Sequence, residues 1–350
     1  MPYTNVACQA AFWKTLVQRP KFSTDDIPDL SQKVAIVTGA NSGLGYATTV
    51  ALASHGAHVF LACRSESKAL EAIARARVEI AATPAAEKYL REPLTAAAAG
   101  GGGGGSRKEA KLEFLKLDLN DMNSCAQAAR VFLDRGLPLH ILVNNGGIMT
   151  SPFALSADGI EQQFAVNHMG HFVFTMALLD RIKQSQPSRI VMLSSIGHEH
   201  CPKGGIDFST LNDRNASNPA SRYGRSKLSN ILFGKALARR LVGEKVYVNM
   251  PHPGFVYTEL ARNNKDSMGV VAATAYDLAG RMCASKAEVG CLNQLYLATS
   301  PEVEEKDLRG KYFVPVGNEL RPSPYALDEE LQEKLWAFSE QLVREKVKEP

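Results

Sequence analysis

Thirty consecutive residues, Val34 to Cys63, contain no Asp, Glu, Lys or Arg. Length alone would allow a membrane-spanning helix. The content does not, because Thr38, Asn41, Ser42, four glycines and two histidines interrupt the run. It reads instead as a strand over Val34–Val37, a glycine-rich turn, a helix over Leu44–Ser54 and a second strand over His58–Ala62. Both strand segments are nearly continuous apolar runs, the pattern of parallel strands buried on both faces.

The alternation continues along the chain. Helices are expected over Lys68–Ala81, Ser124–Arg135, Gly159–Ile182 and Arg222–Leu241, and strands over Leu112–Leu117, Ile141–Val143, Arg189–Leu193, Val246–Met250 and Tyr312–Val314. Strand–helix repetition of this kind predicts an α/β fold, a doubly wound, mostly parallel sheet of the Rossmann type. No composition break of domain size interrupts the stretch between Thr38 and Thr258, so residues 1–350 read as a single domain. Two segments stand apart. Residues 82–110 form a low-complexity insertion around the run Thr95–Ser106, TAAAAGGGGGGS, which buries nothing and is expected to be flexible. Residues 325–350 hold a charged amphipathic C-terminal helix, entered through the turn Pro322-Ser323-Pro324 and read as a packing or assembly element.

Composition narrows the function classes. Lys+Arg 40 against Asp+Glu 36 leave a net charge of +4, too small to argue for nucleic acid as a partner. Six cysteines are scattered without a C-x-x-C pair. That fits a reducing, cytoplasmic setting and argues against a disulfide scaffold or a structural zinc site. The N-terminus has no basic segment ahead of an apolar core, so no secretory signal is read there. Val6–Val17 is moderately apolar, too short to span a bilayer and interrupted by Lys14. It reads as a capping helix or a loose end, with a membrane-surface role as the alternative. No transmembrane segment is expected.

The turn Thr38-Gly39-Ala40-Asn41-Ser42-Gly43-Leu44-Gly45 follows a strand and opens a helix. Glycines let the backbone turn tightly and approach a pyrophosphate, and helix N-terminal N–H groups favour its charge. A tight turn without a ligand is the plain alternative. A fold of this kind that selects NAD usually carries an acidic residue after the second strand. Here that strand ends Leu61-Ala62-Cys63-Arg64, with Lys68 one helical turn on. Arg64 offers a permanently charged fork to a 2′-phosphate, and this points to NADP(H). The competing reading is a solvated surface charge.

Tyr223 and Lys227 stand four residues apart on an expected helix, on one face. A carbonyl that accepts hydride needs a proton at its oxygen. A phenol, with a pKa of about 10, gives one up only if its anion is stabilised, and a neighbouring cation does that. Ser195, at the end of an expected strand, can donate a hydrogen bond to the same oxygen. An ordinary exposed helix pair is the alternative for Tyr223 and Lys227 alone.

The spacing T-G-x-x-x-G-x-G resembles the short-chain dehydrogenase/reductase family. The family's active residues are an Asn, a Ser, a Tyr and a Lys in chain order, and the matching positions are Asn167, Ser195, Tyr223 and Lys227. The resemblance implies Tyr223 as general acid/base, Lys227 also binding the nicotinamide ribose, Ser195 orienting substrate and Asn167 supporting a water-linked proton relay. Ser195 fits the motif better than its neighbour Ser194. The resemblance also implies an adenine contact for Asp118, for which an N-cap role competes. Asn144-Asn145-Gly146-Gly147 matches N-N-A-G, with Gly146 in place of Ala expected to loosen the turn without abolishing cofactor binding. Pro253-Gly254-Phe255-Val256-Tyr257-Thr258 matches P-G-x-V-x-T, where Thr258 would contact the carboxamide. The long interval from Ser195 to Tyr223 and the His168/His171 pattern look like the retinol-dehydrogenase and WW-domain-oxidoreductase branch, with no WW domain in this sequence.

His198-Glu199-His200-Cys201 has the residue types of a metal knuckle but no second ligand cluster, so no metal is expected and the segment is read as lining the mouth of the substrate site. His168 and His171 are read as packed or hydrogen-bonded rather than as ligands. The expectation is an NADP(H)-dependent oxidoreductase interconverting carbonyl and alcohol on a small molecule. The apolar residues of 259–287 point to a lipophilic or aromatic substrate, such as an intermediate of specialised, polyketide-like metabolism. An NAD-dependent alcohol dehydrogenase of the same fold and a non-catalytic dinucleotide-binding interaction protein are the rivals. A homo-oligomer is compatible with all three.

Overall fold

The computed structural model describes residues 21–90, 108–256 and 285–348. Val6–Val17, the glycine run Thr95–Ser106, Thr258 and the stretch 259–284, expected from sequence to contact substrate, lie outside the described residues. The strands are β1 (Val34–Thr38), β2 (His58–Cys63), β3 (Leu112–Lys116), β4 (Ile141–Asn144), β5 (Ser188–Met192), β6 (Val246–Pro251), β7 (Tyr312–Val314) and β8 (Asn318–Glu319). They form one sheet in the order β3-β2-β1-β4-β5-β6-β7-β8. Pairing is parallel from β3 to β7, and only the short β8, which periodicity did not reveal, runs antiparallel. The chain leaves β1 toward β2 and β3 on one side and later returns to build β4 on the other. That reversal opens a crevice at the carboxyl ends of β1 and β4, where ligands of open α/β sheets bind.

Helices α1 (Gly43–Ser54), α2 (Glu66–Ala81), α3 (Pro84–Tyr89), α4 (Met122–Leu133), α5 (Gly170–Gln184), α6 (Pro219–Arg240), α7 (Leu292–Thr299) and α8 (Glu329–Lys346) cover the two faces. Strand residues alternate between them. Ile36, Phe60, Leu142, Ile190 and Val248 join the core under α4, α5, α6 and α8, whereas Val37, Leu61, Val143, Val191 and Tyr247 join the core under α1, α2 and α7. Both sets are buried, which is why the strands read as unbroken apolar runs. Of the expected flexible insertion, residues 84–89 form α3, started by Pro84 and capped by Thr83 Oγ1 accepting from Ala86 N–H.

The helix expected from Gly159 begins later. Gly159 has φ +75° and belongs to a turn. The helical stretch starts at Gln162, where the Glu161 carboxylate accepts the N–H groups of Gln163 and Phe164, each at 3.0 Å. It then widens into a π-turn over Ala165–Met169 before α5. At the C-terminus, Asp328 caps α8, and Leu331, Leu335, Trp336 and Ser339 form its buried stripe. Trp336 packs against the contacting pair Phe172 and Phe233, with ring centroids 5.6 and 5.7 Å away, and the Arg240 guanidinium lies 3.9 Å from its ring. The C-terminal segment is thus a packing element of the domain.

Candidate active site

Two turns meet at the crevice. In the first, Gly39 and Gly43 take φ +64° and +54°, conformations costly for other residues. A Cβ on Gly45 would lie 2.4 Å from the Gly39 carbonyl oxygen and 2.6 Å from Asn145 Nδ2, and a Cβ on Gly39 would lie 2.9 Å from Gly146 Cα. The glycines are therefore required for backbone to meet backbone. Ser42 precedes α1 in extended conformation, and its side chain does not cap the helix. The first N–H groups of α1 thus face the turn without a side-chain cap, as a pyrophosphate site requires. Leu44 and Val256 converge on Gly290, whose Cβ would lie 2.8 Å from Leu44 Cδ2 and 2.4 Å from Val256 Cγ2.

The second turn follows β4. Asn144 points into the core, where its Nδ2 donates to Thr175 Oγ1 at 2.8 Å and to Met192 Sδ at 2.9 Å, so its side chain holds the strand end. Asn145 Nδ2 donates to the Thr38 carbonyl at 2.9 Å, and the Gly146 N–H donates to Thr38 Oγ1 at 2.8 Å. These bonds clamp one turn on the other. A Cβ on Gly146 would lie 2.8 Å from Leu119 Cδ1, so Leu119 occupies the space the usual alanine would need.

At the other end of the crevice, Arg64 and Lys68 are exposed, at the end of β2 and in the first turn of α2. Lys116, paired with Cys63 in the β2–β3 register, donates its Nζ to the Arg64 carbonyl at 2.5 Å. Arg75 stacks 4.0 Å from the Tyr46 ring and donates to the Asn41 carbonyl at 3.4 Å. Lys116 and Arg75 are basic neighbours that sequence reasoning missed; aligning the ends of β2 and β3 would have found the first. Asp118 does not cap α4. That cap is Asp121, which accepts from Asn123 and Ser124 N–H, while Asp118 Oδ1 accepts from Asn120 N–H at 3.0 Å.

The four residues in family order come together beside these turns. Asn167 sits in the π-turn and is fully buried. Its Oδ1 accepts from Ile148 N–H at 2.8 Å, and its Nδ2 donates to the Ile148 carbonyl and to Ser226 Oγ. The position a Cβ on Gly147 would take lies 2.9 Å from Asn167 Oδ1 and 3.6 Å from Lys227 Nζ. The corresponding position on Gly197 lies 2.9 Å from Tyr223 Cε1 and 3.3 Å from Ser195 Oγ. Two glycines thus leave the room in which these four side chains approach one another. Lys227 is buried, donates to the Leu193 carbonyl at 3.1 Å and stands 5.8 Å from the Tyr223 ring centroid. Burial pushes its ammonium down to about 8. Ser194 is excluded from the cluster, because its Oγ donates to the Lys227 carbonyl at 2.8 Å. Ser195 instead turns its Oγ toward Gly197 N–H, 3.0 Å away.

A buried charge trio supports this arrangement. Glu161 is fully buried, with Arg222 Nε at 3.7 Å and Arg225 Nη2 at 3.5 Å. The two arginines flank Tyr223 on α6, and Glu161 starts the helical stretch bearing Asn167. In sequence these charges look like an ordinary solvated surface. His198 also differs from expectation. It is turned inward, its Nδ1 donating to the Ser195 carbonyl at 2.8 Å and its Nε2 accepting from Ser323 N–H at 3.1 Å. It steadies Ser195 rather than lining an open mouth, while His200 is exposed. Among the described residues no group of three His, Cys, Asp or Glu side chains could hold a metal ion, and no helix is long and apolar enough to cross a membrane.

Pro253 and Gly254 follow β6. Gly254 takes φ +88°, with Pro315 Cγ 3.0 Å from where a Cβ would stand. Asn293 Nδ2 donates to the preceding His252 carbonyl at 2.8 Å, fixing where the chain leaves the sheet.

The family model described as short chain dehydrogenase matches residues 33–88 and 92–269. Retinol dehydrogenase 14 of Homo sapiens is 38% identical over 311 residues, covering 89% of this chain and 86% of its own. The WW domain-containing oxidoreductase of Homo sapiens is 36% identical over 327 residues, covering 91% of this chain and 70% of its own. Among solved structures, an uncharacterized protein from Mycobacterium paratuberculosis superimposes with a TM-score of 0.66 at 29% identity, covering 92% of this chain and 97% of that one. The match with the family model spans both turns, Asn167, Ser195, Tyr223 and Lys227, and the chain belongs to the short-chain dehydrogenase family.

Proposed function

We propose that this protein is an NADP(H)-dependent oxidoreductase that interconverts a carbonyl and an alcohol on a lipophilic or aromatic small molecule. The observation that carries the reading is the convergence of Tyr223, Lys227, Ser195 and Asn167 beside two clamped glycine turns. Gly39, Ser42, Gly43, Leu44 and Gly45 would hold the pyrophosphate, with the backbone from Asn144 to Gly146 as the floor of the seat. Pro253, Gly254, Val256 and Thr258 would border the nicotinamide, and Asp118 would face the adenine.

A nicotinamide dinucleotide held there would supply the hydride to the substrate carbon in reduction and take it up in oxidation. Tyr223 gives its phenolic proton to the substrate oxygen in reduction and takes it back in oxidation. Lys227, buried close to the ring, stabilises the phenolate and would hold the ribose hydroxyls of a nicotinamide dinucleotide. Ser195 donates a hydrogen bond to the same substrate oxygen and orients it. Asn167 sits next to Lys227 and supports the water path that returns the proton. The preference for NADP(H) rests on Arg64, with Lys68 and Lys116 adding positive charge where a 2′-phosphate would lie. The name of the human relative, a retinol dehydrogenase, agrees with a lipophilic alcohol or aldehyde. The apolar residues of 259–284 point the same way, with specialised, polyketide-like intermediates as one class to try.

Turnover of a panel of lipophilic and aromatic aldehydes, run with NADPH and with NADH, tests the reading. NADPH is expected to win by at least about tenfold in kcat/KM, a difference of about 1.4 kcal/mol. Arg64→Asp is expected to reverse that preference. Equal use of both dinucleotides by the wild type and by Arg64→Asp would remove the cofactor assignment. Binding without turnover across the panel would favour a non-catalytic role.

A further inference from the structure

One fully buried side chain with no assigned role connects the two turns to Asn167. His171, on α5, has both ring nitrogens engaged: Nδ1 lies 3.0 Å from the Asn167 carbonyl and Nε2 lies 2.9 Å from Thr38 Oγ1. A carbonyl only accepts, so Nδ1 carries the proton. Burial pushes the imidazole down to about 4, so at neutral pH Nε2 is a bare acceptor and the Thr38 hydroxyl must donate to it. The Thr38 oxygen then keeps its lone pairs for the Gly146 N–H, 2.8 Å away. Every member of this chain has one permitted direction, from Gly146 N–H through Thr38 and His171 to the Asn167 carbonyl.

We propose that His171 is a positioning residue for the dinucleotide seat, holding through Thr38 the turn at Gly146 against Gly39 while fixing the backbone of Asn167 in its π-turn. This rests on the reading of the two turns as that seat. Thr38 without its acceptor would be free to turn its hydroxyl toward Gly146, where two donors would face each other. The turn at Gly146 would then move away from Gly39, which it approaches to within 2.9 Å of a Cβ position. The effect falls on dinucleotide binding first, because the chain reaches the Asn167 backbone but not the Tyr223 hydroxyl.

The test titrates NADPH, and separately NADH, into wild-type protein and the variants Thr38→Val, Thr38→Ser, His171→Leu, His171→Gln and Thr38→Val/His171→Leu. Fluorescence gives Kd, and a thermal melt without ligand checks folding. Thr38→Val and His171→Leu should each weaken NADPH binding about tenfold, the effect of losing a buried hydrogen-bond partner. Thr38→Ser and His171→Gln, which keep a donor and an acceptor, should stay within about threefold of wild type. The double variant should be no weaker than the worse single one, because the same chain is broken once. In turnover, the KM for NADPH should rise while the KM for the carbonyl substrate holds. Should His171→Leu fail to fold, the Thr38→Val and Thr38→Ser pair carries the test. Unchanged NADPH affinity in folded Thr38→Val or His171→Leu, or losses that multiply in the double variant, overturns this inference alone. A wild type that binds neither dinucleotide overturns the seat and the inference with it.

Discussion

Lowering the pH should unfold this protein more steeply than its carboxylates alone would allow. His168, His171, His198 and His252 are all buried, and burial pushes them down to about 3, 4, 4 and 3. In the unfolded chain each titrates at about 6.5. Below that value the unfolded state binds protons that the folded state refuses, so stability present at pH 7 is lost as pH falls from about 6.5 toward 4. The slope depends on the number of protons and not on the size of each shift. Each proton is worth about 1.4 kcal/mol per pH unit, so four give about 5 kcal/mol per pH unit near pH 5. A domain with a total stability of about 5–15 kcal/mol should therefore unfold within one to three pH units below 6.5. Urea unfolding followed by circular dichroism at pH 7.5, 6, 5.5 and 5 reads the slope directly. His198→Gln, removing one titrating group, should flatten it by about a quarter. A slope of one proton or less between pH 6 and pH 5 would refute the reasoning, because it would mean the rings charge in place.

Two further perturbations follow from packing. Gly45→Ala places a methyl 2.4 Å from the Gly39 carbonyl oxygen, a backbone atom that must move. Overpacking of this kind costs about 1–3 kcal/mol, and NADPH affinity should fall at least about tenfold in a fluorescence titration, with wild-type affinity as the contrary result. Trp336→Ala removes the ring that α8 seats against Phe172 and Phe233. It should cost about 3–5 kcal/mol in urea unfolding, whereas a loss below about 1 kcal/mol would show that α8 is not part of the cooperative core.

What the sequence could reveal was local. Val34–Thr38, the glycine turn and α1 were legible because an uncharged run with spaced glycines allows few chain paths. The chain order of Asn167, Ser195, Tyr223 and Lys227 was legible through the family pattern. Residues whose roles depend on distant partners were not. Glu161, Arg222 and Arg225 are charged and look solvated, yet they meet in the core across 61 to 64 positions of sequence. The position of Lys116 against Arg64 depends on the β2–β3 register, which pairs Cys63 with Lys116. The choice of Ser195 over Ser194 has a physical basis only once Ser194 is seen bonded to the Lys227 carbonyl. The π-turn at Ala165–Met169 breaks a period that otherwise reads as one helix from Gly159. His198 looked like a site-lining or metal-binding group because nothing near it in sequence announces Ser323 as its partner.

The central claim is that the Tyr223 phenol carries the proton to the substrate oxygen, with Lys227 beside it. Single-turnover reduction of an aldehyde by Tyr223→Phe, with NADPH prebound, measures that step without product release. The account predicts a rate loss of at least about 10²–10⁴-fold, the contribution of a positioned acid, with NADPH affinity within about threefold of wild type. A Tyr223→Phe protein that transfers hydride at the wild-type rate would contradict it.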